Sequence, residues 1–239
     1  MRPLTDACPK PLLSVRGKPL MQWAMTGLQR GGVTDLMINT AWLGDQISAH
    51  FGEWLEAQTP MRLHYSHEGQ DFGDALETAG GIVRALPRLA ETFWVAAGDV
   101  FAPDFVFDAN ARAQFERGPH LAHLWLVPNP AHNPTGDFGL STDGLALNLP
   151  KSSDSHAMNA ASPAIPRYTF STIALYKRAF FESAWCDIEA GNPQGVKAPL
   201  APMLRAAMDQ GLVGATLYNG AWTDVGTPQR LEQLNQAHP

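Results

Sequence analysis

Three charged side chains stand where their surroundings would aim them. Lys10 lies in Arg2-Pro3-Leu4-Thr5-Asp6-Ala7-Cys8-Pro9-Lys10-Pro11-Leu12-Leu13, with a proline on either side. The prolines forbid helix and central strand, so this segment reads as a stiffened extended loop whose ammonium is free to meet a partner. Asp99 follows the apolar run Phe93-Trp94-Val95-Ala96-Ala97 after one glycine. Asp224 stands between Trp222 and Thr227-Pro228, a cap and first-turn pair that opens a helix. A lone carboxylate past a buried strand is as often a turn former as a ligand. Two of them with a constrained lysine have a sharper use. The pair can hold Mg²⁺, which keeps waters and takes phosphate oxygens, while the lysine offsets the remaining phosphate charge. Thr78, read as an N-cap, and Gly80-Gly81 open another helix, where glycines let backbone amides approach a nucleotide closely.

The elements that must position these groups alternate in type. Lys18-Pro19 introduces a helix with Met21, Ala24, Met25 and Leu28 on one face, stopped by Gly31-Gly32. Residues 36–38 form a short strand. A helix from about Asp45 carries Ile47, Phe51, Trp54 and Leu55, with Pro60 beyond its end. Strand 62–66 leads into a polar loop, 68–74, then the helix after Thr78, then strand 93–97. This order predicts crossover units and a mainly parallel sheet covered by helices. Further on come a helix around Phe105 to Phe115, a strand 121–127 and a hairpin around Asp143-Gly144. Residues 150–166 read as a loop, not a linker. A strand 167–176, short helices 177–185 and 199–210, a strand 212–218 and a final helix complete one domain over residues 1–239. Ligands of such sheets sit at strand carboxyl ends, where Asp99 falls.

Composition narrows the classes. The net charge is −6 with no basic block, which excludes a nucleic-acid or anionic-membrane partner as the expectation. No apolar run reaches membrane-spanning length, and no signal-peptide pattern opens the chain. Cys8 and Cys186 fit neither a zinc spacing nor a disulfide framework. A reduced, cytoplasmic protein is the default.

Arg2-Pro3-Leu4-Thr5 with Pro9-Lys10-Pro11-Leu12 resembles the signature loop of the sugar-1-phosphate nucleotidyltransferases. Residues 76–82, Leu-Glu-Thr-Ala-Gly-Gly-Ile, resemble their nucleobase loop. Gly98-Asp99-Val100 and Trp222-Thr223-Asp224-Val225-Gly226-Thr227 resemble their two metal aspartates. The resemblance implies a Rossmann-like, three-layer α/β nucleotidyltransferase fold of GT-A-like type, with a mixed, mainly parallel sheet. It implies attack of a sugar-1-phosphate oxygen on the α-phosphorus of a nucleoside triphosphate, with pyrophosphate leaving. Lys10 would contact the phosphates, and Asp99 with Asp224 would hold Mg²⁺. Glu68, Thr78, Gly80 and Gly81 would face the base. Gly136, Asp137 and Lys197 are weaker candidates for the sugar-phosphate side, Lys197 reading more readily as a solvated lysine at a helix start. Ala41-Trp42-Leu43-Gly44 and Lys197-Ala198-Pro199-Leu200 look most like the branch that uridylylates N-acetylmuramate-1-phosphate for cell-wall recycling. A mannose-1-phosphate guanylyltransferase-like branch is the neighbouring alternative. A monomer or small homo-oligomer acting on these small molecules is expected.

Three departures from the family pattern set further expectations. Family members open with an apolar strand and a Leu-Ala-Ala-Gly-x-Gly-x-Arg turn ahead of Arg-Pro-Leu-Thr. The expectation is a chain truncated at its N-terminus, a sheet lacking its usual first central strand, and little pyrophosphate release from residues 1–239. A non-catalytic remnant or regulatory nucleotide-sugar-binding protein is the alternative on that ground. Ala97 and Thr172 replace an Asn and a Gly usual at those positions and could alter sugar choice. Residues 69–74 look like a small insertion in the base loop. A glycosyltransferase on a similar fold is disfavoured, because Asp99-Val100-Phe101 lacks the second aspartate of an Asp-x-Asp motif.

Overall fold

The computed structural model describes residues 1–58, 61–149 and 165–236, and side chains within 53–58 are not described. The side chains of Trp54 and Leu55 are therefore not described, and Pro60 and most of the 150–166 segment lie outside the described residues. In chain order come α1 (Leu4–Ala7), β1 (Ser14–Val15), β2 (Lys18–Pro19), α2 (Leu20–Arg30), β3 (Asp35–Thr40), α3 (Gly44–Gln58) and β4 (Arg62–His67). Then follow α4 (Glu68–Phe72), α5 (Glu77–Ala85), β5 (Thr92–Ala96), β6 (Val100–Phe101), α6 (Ala109–Arg117), β7 (Ala122–Val127), β8 (Phe138–Leu140) and β9 (Ala146–Leu147). The chain continues with β10 (Arg167–Lys177), α7 (Leu200–Met208), β11 (Val213–Leu217), β12 (Thr223–Asp224) and α8 (Pro228–Gln236).

The sheet is mixed, and the expectation of a mainly parallel one is corrected. β10, eleven residues long, runs antiparallel to β5, β7 and β8. Among the described residues only β3–β4 and β7–β11 pair in parallel. A long strand returning between β5 and β7 reverses direction relative to both. β3 and β4 form a separate two-stranded sheet, and among the described residues no strand pairs with the other edge of β3 or of β5.

Alternation along the central strands sorts side chains into two cores. Phe93, Leu124, Leu126, Ala174 and Tyr176 face α5, α7 and the Phe180-Phe181 turn. Trp94, Ala96, Trp125 and Ile173 point the opposite way, onto Leu28 of α2 and the segment carrying Phe105 and Phe107. Three layers result. The second core is aromatic, with Trp94 and Trp125 ring centroids 4.8 Å apart.

Local departures from the sequence reading have local causes. The opening segment is not a continuous loop: Pro3 precedes α1, and Pro9 precedes a 3-10 turn at Lys10–Leu12. Proline is tolerated at helix starts, where its missing N–H has no partner to lose. Residues 68–72 form α4, too short for periodicity to reveal. The helix expected from Phe105 begins at Ala109, capped by Asp108, whose carboxylate accepts from the Asn110 N–H at 2.9 Å. Phe105 and Phe107 precede it outside any helix or strand and enter the aromatic core two apart. α5 begins at Glu77 with Leu76 in the cap position, so Thr78 lies inside the helix and does not cap it. The Asp143-Gly144 hairpin forms as expected, joining β8 to β9, and the Thr227 hydroxyl accepts from the Arg230 N–H in the first turn of α8.

Candidate active site

β6 and β12 build the centre. They pair antiparallel with Asp224 opposite Val100, and the Val225 N–H donates to the Asp99 carbonyl at 2.9 Å. This two-residue ribbon sets Asp99 beside Asp224. The Gly98 turn rests against Pro11 and Met21, which brings the Lys10 turn over Asp99. Lys10 Nζ lies 2.5 Å from Asp99 Oδ2, with the side chains 27% and 39% exposed, so a ligand from solvent can reach both.

Asp224 has basic partners of its own. Arg230 Nη1 lies 2.5 Å from Oδ2 and donates to the Asp224 carbonyl at 2.9 Å. His132 Nε2 is 2.9 Å from Oδ1. The imidazole is close enough for charge but not aligned to donate, so Oδ1 is buried without a hydrogen-bond donor. Such an atom costs about 1–3 kcal/mol unless another group uses it. Two hard carboxylate donors, one with an unused buried oxygen, fit Mg²⁺. Among the described residues no group of three or more His, Cys, Asp or Glu gathers as a metal cage. Mg²⁺ keeps waters and takes its other ligands from phosphates. Asp99 and Asp224 are the residues that could hold it.

A bulge in β10 anchors the second aspartate. The β7–β10 register shifts between Phe170 and Ala174, and Thr172 has φ 62°. This left-handed backbone favours glycine and costs a β-branched residue on the order of 1–3 kcal/mol. The Ser171 hydroxyl donates to the Trp125 carbonyl, and the Ser171 carbonyl accepts from Trp222 Nε1 at 3.0 Å, two residues before Asp224.

The remaining sequence candidates fall into two groups. Gly136, at φ 63°, is crowded by Asn129 and Tyr168. Asp137 accepts from Asn133 Nδ2 at 3.1 Å and from the Phe170 N–H at 2.9 Å. Their loop reaches the centre through His132. On the other side, Glu68 is buried, and its Oε2 accepts from the Leu76 N–H at 2.8 Å. Burial pushes its carboxyl above the ordinary carboxylate range, against the Leu76 bond and the nearby Arg84 charge. Gly81 is packed so tightly under Glu68 and Asn39 that a Cβ would lie 2.5 Å and 2.6 Å from their side-chain tips. Gly80 is buried and Thr78 exposed. The Ala79 and Gly80 amides both donate to the Ala198 carbonyl. Lys197 pairs with Asp74 at 2.7 Å, on this side of the site.

Sequence reasoning missed His132, Arg230 and Ser171. Arg230 was legible in principle, as a cation in the first turn after Thr227-Pro228. Nothing in the Asn-Pro-rich loop around His132 marks that residue.

No protein-family model matches the chain. It is 42% identical over 235 residues to the N-acetylmuramate alpha-1-phosphate uridylyltransferase of Neisseria meningitidis, covering 98% of this chain and 90% of the relative. The protein of that name from Caulobacter vibrioides is 28% identical over 96% of this chain and 88% of its own length. The crystal structure of a candidate glucose-1-phosphate thymidylyltransferase from Bacillus anthracis superposes with a TM-score of 0.72 at 19% identity, covering 99% of this chain and 89% of that one. With its α/β fold and mixed sheet, the chain belongs to the sugar-1-phosphate nucleotidyltransferase family.

Proposed function

We propose that this sugar-1-phosphate nucleotidyltransferase moves a uridylyl group from UTP to N-acetylmuramate-1-phosphate and releases pyrophosphate. The observation that carries the reaction class is the meeting of Lys10, Asp99 and Asp224 from three distant parts of the chain. The uridylyl and muramate assignments rest on the relative at 42% identity.

In this reading a phosphate oxygen of the sugar-1-phosphate attacks the α-phosphorus, and the bond to the β-phosphate oxygen breaks. Lys10, reachable from solvent, balances charge on the phosphates. Asp99 and Asp224 would hold Mg²⁺, which when bound supplies neutralisation of the phosphate oxygens. Arg230 keeps the Asp224 carboxylate oriented and adds positive charge beside the incoming phosphate, with His132 standing against the other carboxylate oxygen. No covalent intermediate with the protein is required, so positioning and charge balance carry the rate. Glu68, Thr78, Gly80 and Gly81 form the base side, and Gly136 with Asp137 the sugar side. The open edges of β3 and β5 support the finer fold reading, a family sheet without its first central strand among the described residues. Among the described residues no helix is long and apolar enough to cross a membrane; the proposal takes the protein as a single cytoplasmic domain, a monomer or small homo-oligomer, that uses free substrates.

The test is pyrophosphate release by the purified chain with Mg²⁺, comparing UTP plus N-acetylmuramate-1-phosphate with GTP plus mannose-1-phosphate. A preference for the first pair is expected. A preference for the second would overturn the substrate assignment, since a guanyltransferase of Xenopus laevis is also 25% identical across the whole chain, over 63% of its own length.

A further inference from the structure

Residues 191–198 touch the segment that carries the nucleobase loop at six residues, 72, 74, 76, 79, 80 and 83. Gly195, at φ 66°, leaves no room for a Cβ because the Phe72 ring lies on it, and the Arg84 guanidinium lies over that ring, 4.6 Å from its centroid. Lys197 Nζ pairs with Asp74 Oδ2 at 2.7 Å. The Ala198 N–H donates to the Leu76 carbonyl at 3.1 Å, and the Ala198 carbonyl takes the Ala79 and Gly80 amides at 3.0 and 3.2 Å. Asn192, fully buried, donates to the Gly80 carbonyl at 3.1 Å and to the Val196 carbonyl at 2.9 Å, while its own Oδ1 accepts from the Val196 N–H. The Gly191 N–H closes the series on the Val83 carbonyl.

Inside this frame sits a backbone that would not hold itself. Glu77 has φ 59°, a left-handed conformation in a non-glycine residue, and its side chain and that of Thr78 are exposed. A conformation of that kind persists where its surroundings over-determine it. Leu76 on one side and Ala79 with Gly80 on the other are pinned by the single residue Ala198.

We infer that residues 191–198 are the positioning frame of nucleotide recognition, and that Lys197 and Asn192 are positioning residues acting on the nucleotide through the 72–80 loop. Lys197 then belongs to the base side and not to the sugar-phosphate side. The inference rests on the proposed reading of that loop as the nucleobase loop.

The experiment titrates UTP with Mg²⁺ into the full chain by calorimetry, alongside steady-state KM values for both substrates and a denaturant midpoint for each variant. Lys197→Met should weaken UTP binding about three- to fivefold, the range of an exposed ion pair. Asp74→Asn should do the same, the double variant should be no weaker than either single one, and Lys197→Arg should restore wild-type affinity. The sugar-1-phosphate KM should not move. Asn192→Ala should cost tenfold or more in UTP affinity. If that variant does not fold, the Lys197 and Asp74 set decides alone. Unchanged UTP affinity with a lowered denaturant midpoint, or a rise confined to the sugar-1-phosphate KM, would overturn the frame. Failure of the wild-type chain to bind UTP would instead overturn the parent reading, and the inference with it.

Discussion

Lys10 and Asp99 are separated by 89 residues in the chain and by 2.5 Å in the fold. The contact exists because the Gly98 turn packs against Pro11, the residue after Lys10. Neither side chain is held there by its own helix or strand, so the proline turn and the glycine turn position each other.

Residues that act as one unit lose activity non-additively. Lys10→Met and Asp99→Asn should each lower kcat for pyrophosphate release by on the order of 10²-fold, a range typical of lost electrostatic stabilisation. The double variant should fall little further than the worse single one. Steady-state rates of the three variants check this, and a fully multiplicative loss would separate the two roles.

Arg230→Met removes the guanidinium from a partly buried carboxylate. Asp224 then keeps only the misaligned His132 beside it. Stability should fall by about 1–2 kcal/mol. Mg²⁺ should recover more of that loss in the variant than it adds to the wild type, because no cation then competes at Oδ2. Urea midpoints with and without Mg²⁺ measure the difference, and equal Mg²⁺ effects in both proteins would remove Arg230 from the site.

Gly81→Ala forces a methyl against Glu68 and Asn39 in a buried helix turn. A loss of about 1–3 kcal/mol is expected, in the range of overpacked cores. Gly52→Ala is the control. No atom comes within 4 Å of a Cβ there, and its helix should gain up to about 1 kcal/mol from alanine. Thermal unfolding of both variants reads the contrast.

His123 gives a pH dependence with a defined sign. Burial among Phe115 and Trp125, aided by the His120 charge, pushes its imidazole down to about 4. The unfolded chain therefore binds this proton more readily between about 6.5 and 4, and stability falls as pH drops through that window. The ring is half-buried, so solvent access limits the effect to on the order of 1–3 kcal/mol. His123→Gln should flatten this part of the stability profile, measured by urea midpoints from pH 7 to pH 4.5. An unchanged slope would assign the acid sensitivity elsewhere.

Elements with a long, regular pattern were legible before any coordinates. α2 and α7 bury the apolar positions their 3.6-residue period marks, Met21, Met25 and Leu28 in one and Leu200, Met203, Leu204 and Ala207 in the other. Asp143-Gly144 announces its hairpin, and Thr227-Pro228 its helix. Short elements were not legible. β6 and β12 are two residues each, and α4 is five, so none is long enough for its pattern to repeat. The direction of β10 was also hidden, because side chains alternate in the same way in parallel and antiparallel strands.

The sequence by itself determined which charged residues are candidates for the site and which local turns hold them: Lys10 between its prolines, Asp99 after its glycine, Asp224 before its capped helix. Side-chain chemistry and local backbone preference are properties of adjacent residues, so the chain states them directly. Only the tertiary structure decided who meets whom. The β6–β12 ribbon sets Asp224 beside Asp99, Arg230 and His132 close on Asp224, and residues 191–198 frame a loop more than a hundred residues earlier. Those meetings depend on how two cores pack across one mixed sheet, and packing is a property of the whole chain.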